Sequence, residues 1–244
     1  LTASSPIMEG RLTGWLDNRL EAYRTNSRKI PAIAGRVIPE PVYTRADYES
    51  QILQRLYADI APYDPEGVLQ FEWLNARGAI ARFSRQAIEI RVMDVQECPA
   101  ADVALCAAVV ALLEALVAEQ FAPLDRQQGV AIDPLEAILL ATIRDADRAE
   151  IADANYLSLL GFSGTRCTAG ELWRRVIDRL LADQRLDSAW SPALEVVLRE
   201  GPLARRLANA VAHPDRNPRG GSGPLFDVYQ RLAGCLDQGT MFTA

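Results

Sequence analysis

Apolar residues recur along this chain with two different periods, and the change of period marks its organisation. Leu12, Leu16, Leu20 and Tyr23 fall at three- to four-residue intervals, so residues 9–28 read as a helix or helix-like segment. Pro31, Pro39 and Pro41 exclude a helix over residues 31–43, which read as loop or extended chain. Asp47 to Ile60 is a second amphipathic helix, with Thr44 as its N-cap and Pro62 just past its end. The period then shortens. Val68, Phe71 and Trp73, then Ile80 and Phe83, then Ile88, Ile90 and Val92 form three short β-rich runs. Turns at residues 75–78 and 84–86 separate them, and the pattern predicts an antiparallel meander.

From Pro99 onward the period is helical again, over residues 100–121, 134–150, 168–184, 189–199, 202–212 and 224–238. Pro123, Pro134, Pro192, Pro202 and Pro218 punctuate these elements. The run Arg219-Gly-Gly-Ser-Gly-Pro224 reads as a connector, since no strand precedes it and no Gly-Lys-Ser/Thr follows. The expected fold is therefore α+β: an antiparallel meander within residues 1–98, followed by a large helical region, 99–244, packed on the same domain. Three strands are few for such a chain, so the sheet is expected to include strands from elsewhere.

Composition narrows the classes of function. The 244 residues are 49% hydrophobic and 24% charged, which is globular rather than disordered. The length suits one large domain or two small ones. No apolar run reaches the roughly 20 residues a bilayer requires. The longest, Ala100 to Val117, is interrupted by Asp102 and Glu114 and reads as a buried helix, so no membrane partner is expected. The net charge of −6 and the pI near 5.0 argue against nucleic acid as a partner, because such binders carry a basic stripe. Cys98, Cys106, Cys167 and Cys235 are scattered, with no Cys-x-x-Cys pair, and read as reduced thiols of a cytoplasmic protein. His213 is the sole histidine and cannot complete a zinc site with them at a familiar spacing. Basic charge is almost all arginine, with Lys29 the only lysine. Arginine is the side chain best suited to holding carboxylates and phosphates in a two-pronged grip.

The richest run chemically is Ala87-Ile-Glu-Ile-Arg-Val-Met-Asp94. On a strand Ile88, Ile90 and Val92 face one side, while Glu89, Arg91 and Met93 face the other. A carboxylate and a guanidinium would then stand about 7 Å apart on one face. The carboxylate suits Mg²⁺, which takes one or two protein carboxylates together with phosphate oxygens. The arginine suits a phosphoryl group. Arg82 and Arg77 fall on the preceding strand and turn and could share the same basin. Alternating Glu and Arg is equally at home as cross-strand ion pairs on a solvated sheet face.

The Glu89-Ile-Arg91 strand resembles the Glu-apolar-Arg strand of the glutamate–cysteine ligases and glutamine synthetases, where the Glu binds a catalytic divalent metal and the Arg contacts phosphate or substrate. The opening residues carry the likeness further. Leu1-Thr-Ala-Ser-Ser-Pro6, Glu9-Gly-Arg-Leu-Thr-Gly14 and Asn18-Arg19-Leu20 are similar to the corresponding segment of the bacterial carboxylate–amine ligases. The likeness extends in motif detail over about residues 1–120. It implies that Arg19 matches the family's arginine at the amino-acid or phosphate site, with Arg24 as a second candidate. Trp73 to Arg77 is similar to the family's Trp-Asp-x-Arg-Pro entry to the meander, with Asn75 and Gly78 departing from it. Arg77 and Arg82 are thereby candidates for substrate or phosphate binding.

The resemblance implies a glutamine-synthetase-like sheet and an ATP-dependent amide-forming reaction through an acyl phosphate. ATP and Mg²⁺ are the implied cofactors. A glutamate-like carboxylate and an amine acceptor are the implied substrates. Arg91 and Arg19 are the expected catalytic residues and Glu89 the expected metal ligand. The family also uses acidic strands from an N-terminal half, so this chain is expected to hold about half an active site and to need that half as a partner. The alternative is a binding or structural domain that keeps the fold without complete chemistry and forms a homo-oligomer.

Overall fold

The computed structural model describes residues 1–213 and 223–244 of the chain, which adopts an α+β fold. Two compact units divide the described residues: Leu1–Asn18, Asp94–Val130 and Ala137–Ala244 form one, and Arg19–Met93 with Ala131–Glu136 the other. The elements that carry the candidate chemistry belong to the second, smaller unit.

The larger unit opens where a helix was expected and instead forms a hairpin. Strands β1 (Ile7–Met8) and β2 (Arg11–Leu12) pair antiparallel, Ile7 opposite Leu12 and Met8 opposite Arg11. Glu9 and Gly10 between them both have positive φ, 51° and 75°, the geometry a two-residue hairpin turn demands. Leu12 is exposed, so its helix-like spacing with Leu16 and Leu20 did not reflect one buried face. Helix α1 (Asn18–Asn26) starts only at Asn18. The Asn18 amide donates to the carbonyls of Ser5 and Trp15, and its side-chain oxygen accepts from Thr13 Oγ1.

In the smaller unit α2 (Arg45–Tyr48) continues through a π-helical stretch, Glu49–Leu53, into α3 (Gln54–Ile60). Thr44 caps it as expected, its Oγ1 accepting from the Asp47 amide at 3.1 Å. Ile52, Leu53, Leu56 and Ile60 are its buried face. Strands β3 (Ala79–Arg82) and β4 (Ala87–Ile90) form an antiparallel hairpin with Ile80 opposite Glu89 and Arg82 opposite Ala87. The meander therefore has two strands and not three. The run around Val68, Phe71 and Trp73 is a turn followed by a 3₁₀ helix at Glu72–Leu74, because the Asp64 carboxylate accepts from the amides of Val68 and Leu69 and Gly67 turns the chain at φ 69°. All three apolar side chains of that run are exposed. Ile88 is also exposed, at 70%, so the apolar side of β4 is not covered along its whole length within the described residues.

The remaining helices of the larger unit are α4 (Pro99–Val117), α5 (Leu124–Gln128), α6 (Ile132–Asp145, shared at its first turn with the smaller unit), α7 (Ala154–Leu159), α8 (Ala169–Ala182), α9 (Ser191–Glu200), α10 (Leu203–Ala212) and α11 (Pro224–Gln238). Strands β5 (Glu150–Ile151) and β6 (Cys167–Thr168) pair antiparallel. Both these strands and α5 and α7 went unmarked in the apolar pattern, being too short to show a period. Helix α4 is long and apolar enough to cross a membrane by length and composition alone. Its small face, Ala101, Ala104, Ala108, Ala111 and Ala115, is instead buried, and α4 packs on α8 and α9. Alanines let helix axes approach closely, which explains a buried stripe with so little bulk.

A buried ion pair closes this unit. Arg206 on α10 and Glu97 before α4 are both fully buried; the guanidinium donates to Glu97 and to the Phe242 carbonyl, and the Phe242 amide donates back to Glu97. The four cysteines are free thiols, Cys98 and Cys167 buried, and His213 is exposed at the end of α10. Residues 219–222 of the glycine-rich connector lie outside the described residues, while Gly223 and Pro224 lead into α11.

Candidate functional site

The hairpin β3–β4 holds the site, and its position follows from local packing. Gly78 precedes β3 with Val92 and Val37 on either side; a Cβ there would lie 2.7 Å from Val92 Cγ1 and 3.2 Å from the Val37 side chain. The Gly78 amide donates to the Val37 carbonyl and its carbonyl accepts from the Arg91 amide, at 2.7 and 2.8 Å. Tyr48 on α2 fixes β3 itself: its hydroxyl accepts from the Ala81 amide and from the Asn75 side chain, and its ring meets Phe83 edge-on at 5.4 Å.

On the hairpin Glu89 stands between two arginines. Arg91 Nε donates to Glu89 Oε1 at 2.8 Å, and Arg82 NH1 donates to Oε2. Arg82 also faces Glu72, with Nε 3.6 Å from the carboxylate, and Arg91 reaches the Trp73 carbonyl at 3.2 Å. Arg19 donates to the main-chain carbonyls of Arg91 and Val92, at 3.4 and 3.1 Å, and so fastens the exit of β4 to α1. Burial works to raise the Glu89 pKa, but the hydrogen bonds from Arg91 and Arg82 outweigh it, and the group is held below the usual carboxylate range. The result is a charged, half-exposed carboxylate in a basic frame.

Four of the six sequence candidates thus come together: Glu89, Arg91, Arg82 and Arg19. Arg24 and Arg77 have other commitments. Arg24 pairs with Glu21 on the surface of α1 through two hydrogen bonds, 2.6 and 2.9 Å. Arg77 is buried, and its guanidinium donates to Glu40, to the Ala32 carbonyl and to Asn75 Oδ1, with Gly35 against it at φ 55°. Glu72 is the residue that sequence reading missed. It lies in the run taken for a strand, where a carboxylate next to Trp73 has no obvious partner until the 3₁₀ turn brings it to Arg82.

The donor set tests which groups the site suits. Among the described residues no three or more His, Cys, Asp or Glu side chains come together as a metal cage. Mg²⁺ carried by a nucleotide needs fewer protein ligands, one or two carboxylates beside phosphate oxygens. An ionised Glu89 suits that role if one of its arginines turns to the phosphate, so the residues fit a metal that arrives with its anion.

The opening motif belongs to the larger unit. Ser4 Oγ donates to Asp94 at 2.6 Å, Gln96 donates to the Thr2 carbonyl, and the Leu16 and Asp17 amides donate to the carbonyls of Arg144 and Ile143. These bonds explain why small and hydroxylic residues occupy positions 2–5: the segment threads between α6 and the stretch before α4 inside that unit.

The family model for glutamate-cysteine ligase family 2 matches residues 1–219. The chain belongs to this family. An uncharacterized protein of Archaeoglobus fulgidus is 43% identical to it over 119 residues, 49% of this chain and 32% of that relative's length. The similarity to it therefore spans about a third of the relative. No solved structure matches the chain significantly. Family membership identifies the chain as ligase-like and agrees with the resemblance carried by the Leu1–Pro6 and Glu89–Arg91 motifs.

Proposed function

We propose that this glutamate–cysteine ligase family member takes part in ATP-dependent joining of a carboxylate to an amine, through an acyl phosphate. The observation that carries the reading is that Arg82 and Arg91 both hold Glu89, with Arg19 bound to the carbonyls of Arg91 and Val92 beside it, at the hairpin that bears the family-like Glu-Ile-Arg sequence. A substrate carboxylate oxygen attacks the γ-phosphorus of ATP, the bond to the leaving ADP oxygen breaks, and an acyl phosphate forms. The amine nitrogen then attacks the acyl carbon, inorganic phosphate departs, and the amine proton passes to phosphate or solvent. Neither step needs a protein nucleophile, so positioned charge is what the protein contributes.

Arg91 and Arg82 supply planar, permanently charged donors to the phosphoryl oxygens. Arg19 is a positioning residue, holding the carbonyls of Arg91 and Val92 so that the Arg91 side chain leaves the strand in one direction. Glu89 keeps its charge and would hold the Mg²⁺ that accompanies the nucleotide. When bound, that metal neutralises charge on the phosphate oxygens. The substrate would be a glutamate-like carboxylate, the acceptor an amine, and the compartment the cytoplasm.

Glu89→Gln keeps the side chain's size and removes its charge. With ATP, Mg²⁺, glutamate and a panel of amines, the wild-type chain assayed together with the family's N-terminal half is expected to release phosphate, and Glu89→Gln to release it about 100-fold more slowly, the scale on which a single electrostatic group acts in such sites. Unchanged phosphate release in the variant would sink the proposal.

A second reading has its own observation: both oxygens of Glu89 are engaged by arginines, and no metal cage is formed among the described residues. In that reading the network only holds the hairpin together. It predicts no nucleotide binding by the wild-type protein and a small loss of stability on Glu89→Gln, which the same protein preparations would reveal.

A further inference from the structure

The 3₁₀ turn Glu72–Leu74 touches both arginines that hold Glu89, and all of these residues belong to the smaller unit. The Trp73 carbonyl accepts from Arg91 at 3.2 Å, and the Glu72 carboxylate stands 3.6 Å from Arg82 Nε. Turn and strand hang on one anchor. The Tyr48 hydroxyl accepts from the Asn75 side chain, just past the turn, and from the Ala81 amide, next to Arg82 on β3. Ser84, in the turn between β3 and β4, donates at 3.4 Å to the same Glu72 oxygen that faces Arg82. Glu89 is the most exposed of the four charged side chains at 38%, against 22% for Glu72 and less for Arg91 and Arg82. A ligand arriving from solvent therefore meets Glu89 first.

Arg82 Nε is buried and makes no hydrogen bond among the described residues, although its guanidinium is permanently charged. A buried donor in that condition is costly. At 3.6 Å the Glu72 oxygen is just past hydrogen-bond range, and a movement of roughly half an ångström brings the two together. The other end of the guanidinium is committed, since Arg82 NH1 donates to Glu89. Arg91 is placed differently. Its Nε bonds Glu89 and its NH2 the Trp73 carbonyl, so on leaving Glu89 it keeps only a neutral acceptor. Of the two arginines, Arg82 alone has a second carboxylate within reach among the described residues. A charged acceptor is about twice as strong a partner as a neutral one, so Arg82 is the arginine that can give up Glu89 at least cost.

We propose that Glu72 is the positioning residue of Arg82: when Glu89 gives Arg82 up, Glu72 accepts its Nε–H, and the arginine keeps its place while its two terminal nitrogens turn to an anion. Under the ligase reading, on which this assignment of role rests, Glu89 turns to the Mg²⁺ of the nucleotide and the anion is the phosphoryl group, held by NH1 and NH2 in a two-pronged grip. Glu72 stays in its turn throughout and acts only through Arg82. The exchange moves no proton; it changes which oxygens accept from one guanidinium.

The Arg82 Nε–H resonance, assigned by its loss in Arg82→Lys, reports the exchange by NMR without any assay of activity. Glu89→Gln removes the charge that holds NH1, so the resonance is expected to move downfield as the bond to Glu72 forms. The move is expected to vanish when Glu72→Gln is added. In the wild-type chain together with the family's N-terminal half, Mg²⁺ and a non-hydrolysable ATP analogue are expected to produce the same move. This second measurement decides the matter should Glu89→Gln fail to fold. In phosphate release, Glu72→Gln is expected to slow the wild type about tenfold, the loss of one charge-assisted contact, and to slow Arg82→Lys less than about twofold, because the effect passes through Arg82. A Glu72 that merely props up the turn would slow both backgrounds equally and leave the resonance in place. A resonance that stays put in Glu89→Gln, or that moves as far with Glu72→Gln present, overturns the proposal. The two readings fail separately. A Glu72-dependent move in a protein that releases no phosphate keeps the exchange of acceptors and removes the ligase role. Phosphate release slowed by Glu89→Gln but indifferent to Glu72→Gln keeps the ligase and removes Glu72.

Discussion

At the scale of single residues, charge is organised by arginine. Arg82 and Arg91 hold Glu89, Arg77 holds Glu40, and Arg206 holds Glu97, so the same pairing serves an exposed hairpin and a buried core. What differs is the surroundings. Glu97 and Arg206 are closed off from solvent and bound to the main chain of Phe242, whereas Glu89 is 38% exposed and open to exchange of partners. That difference, invisible in the sequence, separates a group able to meet a ligand from one fixed in place. Gly78 gives the sharpest prediction at this scale. Its backbone is not strained, so the glycine is there for space: a methyl would meet Val92 Cγ1 at 2.7 Å. Gly78→Ala is expected to lower stability by about 1–3 kcal/mol, as overpacking does, and urea denaturation followed by circular dichroism measures it. A stability equal to wild type would show that Val92 moves aside freely.

Among the secondary-structure elements, agreement between sequence and structure follows length. Helices α8, α9, α10 and α11 fall within a few residues of the spans their apolar spacing predicts, because several turns must repeat one buried face. The N-cap Thr44 was legible for the same local reason, a hydroxyl followed by a helical pattern. Hairpin β1–β2 and the turn at Asp64–Leu69 were not, since two-residue strands show no period and an aspartate that gathers amides looks like any polar residue. Helix α8 also carries a full capping box, Thr168 with Glu171, each side chain accepting from the other's backbone amide. Thr168→Ala is expected to cost about 1 kcal/mol, and Thr168→Ser to restore most of it. Thermal melts of the two variants against wild type decide this, and equal melts for all three would show that packing alone fixes the start of α8.

For the molecule as a whole, stability is expected to fall in acid through specific carboxylates. Burial pushes Glu40 up, but the hydrogen bond and the charge of Arg77 with smaller contributions together outweigh it and leave it lowered; Glu89 is lowered in the same manner by Arg91 and Arg82; Glu171 is lowered by the Thr168 amide and hydroxyl, and Glu195 by Arg174. A depressed folded-state pKa contributes stability that is fully present above the unfolded carboxylate value, near 4.5 for glutamate, and is lost as pH falls through the folded value. Denaturation midpoints are therefore expected to be flat above about pH 5.5 and to drop below about 4.5, and Glu40→Gln to make the drop shallower. An identical acid limb in that variant would remove Glu40 from the account. The amino-acid sequence by itself determined the α+β class, the long helices, the family likeness and the run Glu89-Ile-Arg91, because each is written in neighbouring residues or a short period. Only the tertiary structure decided which charges meet. Glu89 and Arg82 are seven positions apart, Arg77 and Glu40 thirty-seven, Arg206 and Glu97 one hundred and nine. Such pairs depend on where the turns aim the chain, and no local pattern records that.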